Sequence, residues 1–559
     1  MFLEFILFSI LLTALTPLLG TYMYYVLTGQ EFFFKRYIKP LEDLSYQLAG
    51  VNPNTEMSAF TYAKNMLIFN ALGFFTIFFL MVFQKFLPLN PENLNGTSLH
   101  LAFNVAASFT TNTNWQSYHP ETTLSYLTQM LGLTVQNFLS AATGLSVLLV
   151  LTRGIITSEK ETIGNFWQDL VRSILYIFLP LSIILALFLV IEGVPQSFSA
   201  YEKIITLEGK EQTIPFGPAA SQIAIKQLGT NGGGFFSANS SHPFENPTPF
   251  TNLIETLAIL TLPAASIYLY GLMNGSKKHA WLLYAVVFAI FLLGFFFSLY
   301  GEYSYSKNFD LYPILEGKET RFGFFNSILW GTATTASSNG SVNAMIASFS
   351  PIAGGIAIFN MMLEELIFGG SGVGLCSLLM FVFLTVFLCG LMVGRTPEYM
   401  GKKIETKEML WITVAILMPS SLILIGTAIS AILPFATKEI VNSGPHGLST
   451  LLYAFTSAAA NNGSSFANLN TNTPYYNLIL GSVMILGRLS ILIPSLMIGG
   501  YLAKKKSGVP SKGTFSCDSN LFAILLFTVI LLVSALSFFP SLALGPIAEE
   551  LLMSENRYF

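Results

Sequence analysis

The chain has 559 residues, of which 53% are hydrophobic and only 10% are charged. Because an ordinary soluble domain carries roughly 25% charged residues, this composition excludes a soluble multidomain enzyme and a disordered chain. A formal net charge of −3 provides no basic surface of the kind that binds nucleic acid. Its three cysteines, Cys376, Cys389 and Cys517, are too few for a disulfide framework and lack metal-ligand spacing. The composition predicts an all-α polytopic membrane protein whose surface contacts lipid.

Apolar stretches long enough to span a membrane recur along the whole chain. A spanning helix needs about 20 mostly apolar residues. The first stretch has no basic amino-terminal region, so we assign it as a helix and not as a signal peptide. We predict ten transmembrane helices, at 3–25, 63–84, 127–151, 167–192, 251–272, 281–300, 356–394, 409–433, 476–502 and 520–540.

Lysine and arginine are distributed unevenly between the two alternating sets of connections. One set holds 15 of the 27 basic residues, and it comprises 26–62, 152–166, 273–280, 395–408 and 503–519. The other set is more than twice as long and holds only nine. Since positive charge concentrates in cytoplasmic loops, we expect the first set in the cytoplasm and both termini outside.

Four of the predicted external connections contain a half-length apolar helix, at about 98–110, 218–229, 322–335 and 448–460. These helices are too short to span. A small polar tract follows each one: Thr111-Asn112-Thr113-Asn114-Trp115-Gln116, Thr230-Asn231-Gly232-Gly233-Gly234, Ser338-Asn339-Gly340-Ser341 and Asn461-Asn462-Gly463-Ser464. Aligning Asn112, Asn231, Asn339 and Asn462 gives separations of 119, 108 and 123 residues, so the unit of span, half helix, tract and span occurs four times.

The repeated unit is typical of a re-entrant pore loop. Irregular backbone at membrane depth is tolerated where protein buries it or where it lines a water-filled cavity. Glycine and asparagine adopt left-handed dihedrals that aim successive carbonyls one way, and the carbonyl end of a helix carries partial negative charge. No tract contains Asp or Glu, which fits potassium better than calcium or magnesium. A plain extracellular turn is the alternative for any single tract, and the fourfold repetition favours the pore.

Long strings around these tracts carry a family resemblance, namely TTNTNWQSYHPE (110–121), GTNGGGFFSANSSHPFENPTPF (229–250), SSNGSVNAM (337–345), AANNGSSFANLNTNTPYYN (459–477) and VGRTPEYMGKKIE (393–405). They closely resemble the potassium-translocating A subunit of the bacterial Kdp potassium-transporting ATPase, and the likeness runs from the first span to the last. That family is similar in architecture to the Trk, Ktr and HKT potassium transporters.

The resemblance implies a subunit that binds and selects external potassium in the bacterial cytoplasmic (inner) membrane. It implies three partners: a P-type ATPase B subunit that hydrolyses ATP, a single-span C subunit and a small F subunit. The corresponding division is an extra helix with its cytoplasmic loop (1–62), pore repeats at 63–152, 166–273, 280–395 and 408–503, and an extra helix with an external tail (519–559). The four repeats are expected around a central pseudo-fourfold pore.

The expected potassium filter comprises Thr111, Asn112, Thr113, Asn114, Gln116, Thr230, Asn231, Gly232, Gly233, Ser338, Asn339, Gly340, Asn461, Asn462 and Gly463. Asn239 is a candidate for the external mouth. For Asn114, Gln116 and Asn239, capping of a local turn is the alternative role.

Two features depart from a symmetric channel. Four glycines, Gly369, Gly370, Gly372 and Gly374, interrupt the stretch 356–394 and should break its helix. They form either a helix-packing surface of small residues or, as the resemblance implies, a loop beneath the filter that obstructs passage.

Arg488 is the second feature, because a charge this deep in a span should face the protein interior. It is either a structural or snorkelling group or a cation below the filter. Glu364 and Glu365 are both candidate partners or ion-path ligands, and the family motif favours Glu365.

No GxxxxGK[ST] loop and no Asp-Lys-Thr-Gly string occur, so we do not expect this chain to hydrolyse ATP by itself. Potassium is the expected transported ion, and no organic cofactor is expected. Two other functions stay open: a self-sufficient Trk- or Ktr-like channel or symporter, and, less favoured by the four tracts, a membrane scaffold.

Overall fold

The structure is a computed structural model that describes residues 2–32, 34–308, 314–394, 396–508 and 516–555. Its α-helices, in chain order, are α1 (Phe2–Leu27), α2 (Lys35–Ala49), α3 (Ala59–Phe83), α4 (Leu99–Thr110), α5 (Pro120–Thr123), α6 (Val135–Ile156), α7 (Phe166–Arg172), α8 (Leu179–Ile191), α9 (Ala219–Leu228), α10 (Pro249–Met273), α11 (Lys277–Asn308), α12 (Gly323–Ala336), α13 (Pro351–Met362), α14 (Val373–Met392), α15 (Thr406–Ile432), α16 (Pro434–Thr437), α17 (Gly444–Ala459), α18 (Pro474–Lys504), α19 (Asn520–Leu542) and α20 (Ala548–Ser554).

Other regular structure is sparse in the described residues. Antiparallel hairpins join β1 (Glu202–Ile205) to β2 (Glu211–Ile214) and β3 (Glu398–Tyr399) to β4 (Lys402–Lys403). Wider π-helical turns occupy Thr128–Thr134, Ser173–Phe178 and Ala543–Ile547. Each of these turns runs without a break into the α-helix that follows it, namely α6, α8 or α20. Turns of 3-10 helix lie at Gln84–Phe86, Asn239–Ser241 and Ile346–Ser348.

Ten helical segments in the described part of the chain are long and apolar enough to cross a membrane, which confirms the predicted number. They are Leu3–Leu27, Ala59–Phe86, Thr128–Ile156, Phe166–Ile191, Pro249–Met273, Lys277–Ser306, Val373–Met392, Thr406–Ile432, Pro474–Lys504 and Asn520–Ser554. The seventh differs from the predicted 356–394, because α13 and α14 are separate helices joined by Leu363–Gly372. The glycine-rich sequence does break the helix.

The four half helices are also present, as α4, α9, α12 and α17. Each lies within one or two residues of its predicted start except α17, which begins at Gly444 instead of 448 because Pro445 fits the first turn of a helix. The polar tract follows directly from the carboxyl end of each half helix.

The spans form an inner and an outer set. In the spans that contain α6 and α10, 83% and 89% of the most apolar 18-residue stretch is buried in protein. In the span that contains α3, only 17% of the corresponding stretch is buried. Glycines allow the inner helices to cross closely: a Cβ atom on Gly154 of α6 would lie 2.3 Å from the carbonyl oxygen of Gly499 in α18. The exposed leucines, isoleucines and phenylalanines of α1, α3 and α19 are suited to face lipid.

The β3–β4 hairpin ties the ends of two inner helices together. Lys402 is buried, and its ammonium group donates hydrogen bonds to the carbonyl oxygens of Gly154 (2.8 Å), Leu502 (2.6 Å) and Thr157. These carbonyls lie at the ends of α6 and α18, where helices leave acceptors unpaired and a cation is favourable. The hairpin therefore ties the carboxyl end of α6 to that of α18.

Candidate ion-binding site

The four polar tracts meet in one closed ring. The residue that follows each aligned asparagine forms a single layer of this ring, made of Thr113, Gly232, Gly340 and Gly463. A Cβ atom on Gly232 would lie 2.0 Å from the backbone nitrogen of Gly340, and one on Gly340 would lie 2.7 Å from the carbonyl oxygen of Asn462. A Cβ atom on Gly463 would lie 1.7 Å from the carbonyl oxygen of Thr113. The tracts therefore touch in the cyclic order one, two, three, four.

The side chains of the four aligned asparagines hold neighbouring repeats together. Asn112 donates to the carbonyl oxygen of Thr230 at 3.0 Å, and Asn231 donates to the Asn112 side-chain oxygen at 2.5 Å. Asn339 donates to the carbonyl oxygen of Lys226 at 3.0 Å, and Asn462 donates to that of Ser337 at 2.8 Å. All four asparagines are buried. Their amide N–H groups therefore hold neighbouring tracts together through hydrogen bonds.

Left-handed backbone dihedrals, expected in all four tracts, occur in the first, second and fourth tracts but not at Ser338–Gly340 of the third. Left-handed φ values occur at Asn112 (69°), Gly232 (85°), Asn461 (51°) and Gly463 (89°). Ser338, Asn339 and Gly340 are described residues, and none of them has a positive φ. In that tract Gly340 is needed for space, since the backbone of Asn462 and Gly463 in the fourth tract leaves no room for a side chain.

The first tract places Thr113 where the other three have glycine. The Thr113 hydroxyl is hydrogen-bonded to the Thr111 hydroxyl at 2.7 Å and accepts from the Asn461 amide at 2.9 Å. The side chain therefore points at neighbouring polar groups and joins the first tract to the fourth. The layer is not fourfold symmetric at the side-chain level.

Asn114 and Gln116 bridge the first tract to the second. Asn114 donates to the carbonyl oxygen of Gly232 at 2.9 Å. Gln116 donates to the carbonyl oxygen of Gly234 at 3.1 Å and accepts from its N–H at 2.8 Å. These contacts join separate repeats, which a local turn cap does not do. Asn239 is half-buried behind the second tract, where its side-chain oxygen accepts from Ser240 N–H and from the ammonium group of Lys226.

The loop between α13 and α14 lies against the second and third tracts. The Ser371 N–H donates to the Thr230 hydroxyl at 3.0 Å, and a Cβ atom on Gly370 would lie 2.4 Å from the Ser338 hydroxyl. Because Thr230 and Ser338 precede the glycine layer, the loop contacts the ring at the half-helix end.

The four glycines of this segment lie in the loop and in the first turn of α14. A Cβ atom on Gly374 would lie 2.5 Å from the Gly369 carbonyl carbon, and one on Gly372 would lie 2.6 Å from the Gly144 carbonyl oxygen. Glu364 and Glu365 have left-handed φ values of 58° and 63°. Such dihedrals cost free energy at non-glycine residues and often occur at functional sites.

Glu364, Glu365, Asn461 and Arg488 line one small cavity of about 10 Å³ beside the loop. A volume of this order holds one water-sized species. Arg488 is 5% exposed, and its Nη1 atom has no hydrogen-bond partner within the described part of the chain. The same holds for Glu365 Oε2, whereas Glu364 accepts a long 3.4 Å hydrogen bond from Ser420. Both carboxylates thus reach the cavity, so its geometry does not choose between them.

A second buried network, around Lys226, Gln227 and Glu245, was missed from the sequence. Lys226 lies in the last turn of α9, is completely buried and pairs with Glu245. Gln227 donates to Glu255 at 2.8 Å and accepts from Ser341 at 3.0 Å. The available signal was a lysine inside an apolar half helix, which is the same signal that singled out Arg488.

Comparison with known proteins identifies the family. The model of the potassium-transporting ATPase A subunit matches residues 6–551. The chain belongs to this family. A potassium-transporting ATPase potassium-binding subunit from Leptospira interrogans is 50% identical over 558 residues, covering 100% of this chain and 99% of the relative. The corresponding protein of Pseudomonas aeruginosa is 50% identical over 541 residues and covers 96% of each chain.

The fold is shared with a solved potassium transporter. The crystal structure of the potassium transporter TrkH from Vibrio parahaemolyticus aligns with a TM-score of 0.51 at 15% sequence identity. The alignment covers 88% of this chain and 96% of that chain. At this identity the likeness concerns the fold alone, and it confirms the expected Trk-like architecture.

Proposed function

We propose that this chain is the potassium-binding subunit of an ATP-driven potassium uptake pump. The observation that carries the proposal is the closed ring of four tracts, each at the carbonyl end of a half helix and free of Asp and Glu. Such a ring offers backbone oxygens in place of the hydration shell of potassium. The four helix ends add partial negative charge without a fixed carboxylate. The site is therefore suited to a monovalent cation that sheds its water.

The loop and Arg488 suit a pump better than an open channel. Leu363–Gly372 contacts the half-helix end of the ring, and the Arg488 guanidinium lines the cavity beside it. A buried positive charge along the straight path opposes a second cation through Coulomb repulsion. An ion that enters from outside is thus held in the ring and diverted sideways. In this proposal Glu365 is the acid on the diverted path, as the family motif favours, and Asn239 supports the mouth from behind.

The energy for transport would come from a partner. We propose a P-type ATPase B subunit that hydrolyses ATP, together with a single-span C subunit and a small F subunit. The names of the relatives, which describe potassium-binding subunits of a potassium-transporting ATPase, support a non-catalytic role. The proposed setting is the bacterial cytoplasmic membrane with both termini external, and the proposed pore repeats are 63–152, 166–273, 280–395 and 408–503.

The competing function is a self-sufficient channel or symporter, favoured by the fold shared with TrkH. Potassium-tracer flux into liposomes that contain this chain alone, without ATP, separates the two. We expect no passive flux, together with saturable potassium binding to the same preparation in detergent. Rapid potassium-selective flux would refute the pump-subunit proposal. Selective binding that Gly232→Ala abolishes would place the bound ion in the ring.

A further inference from the structure

One of the four half helices carries a buried positive charge directly behind its tract. Lys226 lies in the last turn of α9 and is 0% exposed. The sequences of α4, α12 and α17, all fully described, contain no lysine or arginine. The half helix α9 therefore carries a buried basic side chain that α4, α12 and α17 lack.

The Lys226 side chain holds the outer part of the second tract. Its ammonium group donates to the carbonyl oxygen of Gly233 at 3.1 Å and to the Asn239 side chain at 3.1 Å. It also pairs with Glu245, whose side chain is equally buried. The other oxygen of Glu245 accepts the N–H groups of Phe235 and Phe236, at 2.6 and 2.9 Å. Lysine and glutamate together thus bracket the segment Gly233–Phe236.

The Lys226 backbone holds the inner part of the ring as well. Its carbonyl oxygen accepts the N–H groups of Asn231 (2.9 Å) and Gly232 (3.2 Å) in the second tract. The same oxygen accepts the Asn339 amide of the third tract at 3.0 Å. Lys226 therefore contacts two neighbouring tracts through its backbone and the Gly233 carbonyl through its side chain. A displacement at this position changes the spacing of several ring carbonyls at once.

We propose that the Lys226–Glu245 pair positions the second tract and thereby sets how well the ring discriminates potassium from cations of different size. The proposal rests on the potassium-binding function proposed above. A set of carbonyls can select by ion size only where its oxygen positions resist adjustment, and a fully hydrogen-bonded buried network supplies that stiffness. Both residues are positioning residues, because neither side chain belongs to the glycine layer.

A second buried pair in the same chain supplies a matched control. Lys318 and Glu302 form an ion pair at 3.1 Å with side chains 0% and 2% exposed. Glu302 likewise accepts a backbone N–H, from Ser350, and Lys318 donates to the Ser348 carbonyl oxygen at 3.1 Å. Those partners lie just before α13 and outside the four tracts. The two pairs share chemistry and burial and differ in what they hold.

The experiment compares Lys226→Met/Glu245→Leu with Lys318→Met/Glu302→Leu in the full-length chain. Each double variant removes an ammonium and a carboxylate together, so the net charge does not change and no buried charge is left unpaired. The ratio of the dissociation constants for rubidium and potassium is measured by titration in detergent, with thermal unfolding recorded on the same samples. We expect Lys226→Met/Glu245→Leu, the filter variant, to lower this ratio by about threefold or more, because a looser network tolerates the larger ion. The control, Lys318→Met/Glu302→Leu, should keep the wild-type ratio.

An unchanged ratio in a filter variant that still binds potassium would overturn the proposal, as would an equal change in both variants. Failure of the wild-type chain to bind potassium would instead count against the proposed function. If the filter variant does not fold, Lys226→Arg serves in the same comparison, because it keeps the charge and moves the donors. A wild-type ratio in Lys226→Arg would also refute the inference.

Discussion

Replacing Gly232 by alanine tests the ring geometry at a point where two tracts touch. Gly232 has a φ of +85°, which is left-handed and strained for alanine. The added Cβ atom would lie 2.0 Å from the backbone nitrogen and 2.4 Å from the Cα atom of Gly340. These are backbone atoms of the neighbouring tract and cannot rotate away as a side chain can. The methyl group therefore forces the second and third tracts apart.

The magnitude follows from these two effects. A left-handed conformation costs an L-residue about 1–2 kcal/mol. Overpacking against a rigid neighbour costs about 1–3 kcal/mol more. If the ring opens to relieve the overlap, the free energy of potassium binding becomes less favourable by a total of roughly 2–5 kcal/mol. Since about 1.4 kcal/mol corresponds to tenfold in affinity, we expect potassium to bind at least about 30-fold more weakly.

Gly209→Ala is the matched control, because its φ is +76° and no atom lies within 4 Å of the added Cβ. It introduces the same kind of backbone strain, in the turn between β1 and β2, without the overlap. Potassium affinity of both variants is measured by titration of the purified full-length chain. Thermal unfolding of the same samples shows whether either variant is misfolded.

The reasoning is refuted if Gly232→Ala folds and binds potassium with wild-type affinity. It is also refuted if the two variants weaken binding equally, since the contact with Gly340 would then have no role. Weakened binding in Gly232→Ala alone supports a filter built from tracts in direct backbone contact.

Three further outcomes are expected. Thr113→Val keeps the side-chain shape but removes the acceptor used by Asn461, so at about 1 kcal/mol per hydrogen bond we expect potassium affinity to fall about fivefold or more; unchanged affinity in titration would show that this staple is dispensable. Arg488→Gln removes the buried cation beside the loop, and we expect tracer flux through the chain alone to rise above the wild-type level, whereas a flux equal to wild type would argue against an electrostatic barrier. Burial raises the pKa of Glu42, but hydrogen bonds led by that of Tyr176 outweigh it and hold this pKa below its ordinary value of 4.5. The contribution of Glu42 to the free energy of unfolding is therefore fully present above pH 4.5 and is lost as the pH falls through the lowered pKa of the folded state. Thermal stability should accordingly fall less on acidification in Glu42→Gln than in the wild type.

Spans and half helices were predictable because they depend on the length and hydropathy of contiguous sequence. The ten predicted spans and the four half helices all appear in the described residues. The break between α13 and α14 was also predictable, since four glycines in six residues disfavour a helix regardless of what packs around them. The predicted start of α17 was four residues too late, because the prediction did not take into account that Pro445 favours the first turn of a helix.

Contacts between distant segments were not predictable to the same extent. The sequence indicates that Asn112, Asn231, Asn339 and Asn462 belong to the tracts, but it does not indicate that their amide groups bond to neighbouring repeats. Lys226 and Glu245 are nineteen positions apart, and nothing local marks them as a pair. Glu364 and Glu365 are adjacent and both reach one cavity, so chain position could not separate their roles and the geometry does not either.

The sequence by itself determined the membrane class, the number of spans, the fourfold repeat and the polar tracts. These properties are additive along the chain, because each residue contributes to apolar length or to local backbone preference independently of distant partners. Only the tertiary structure decided that the tracts close into one ring with Thr113 in a layer of glycines, and that Leu363–Gly372 packs against that ring. Those features depend on segments more than 100 residues apart lying so close that a Cβ atom added to Gly232, Gly340 or Gly463 would come within 2.7 Å of the backbone of a neighbouring tract. Such proximity exists only once all four tracts have packed.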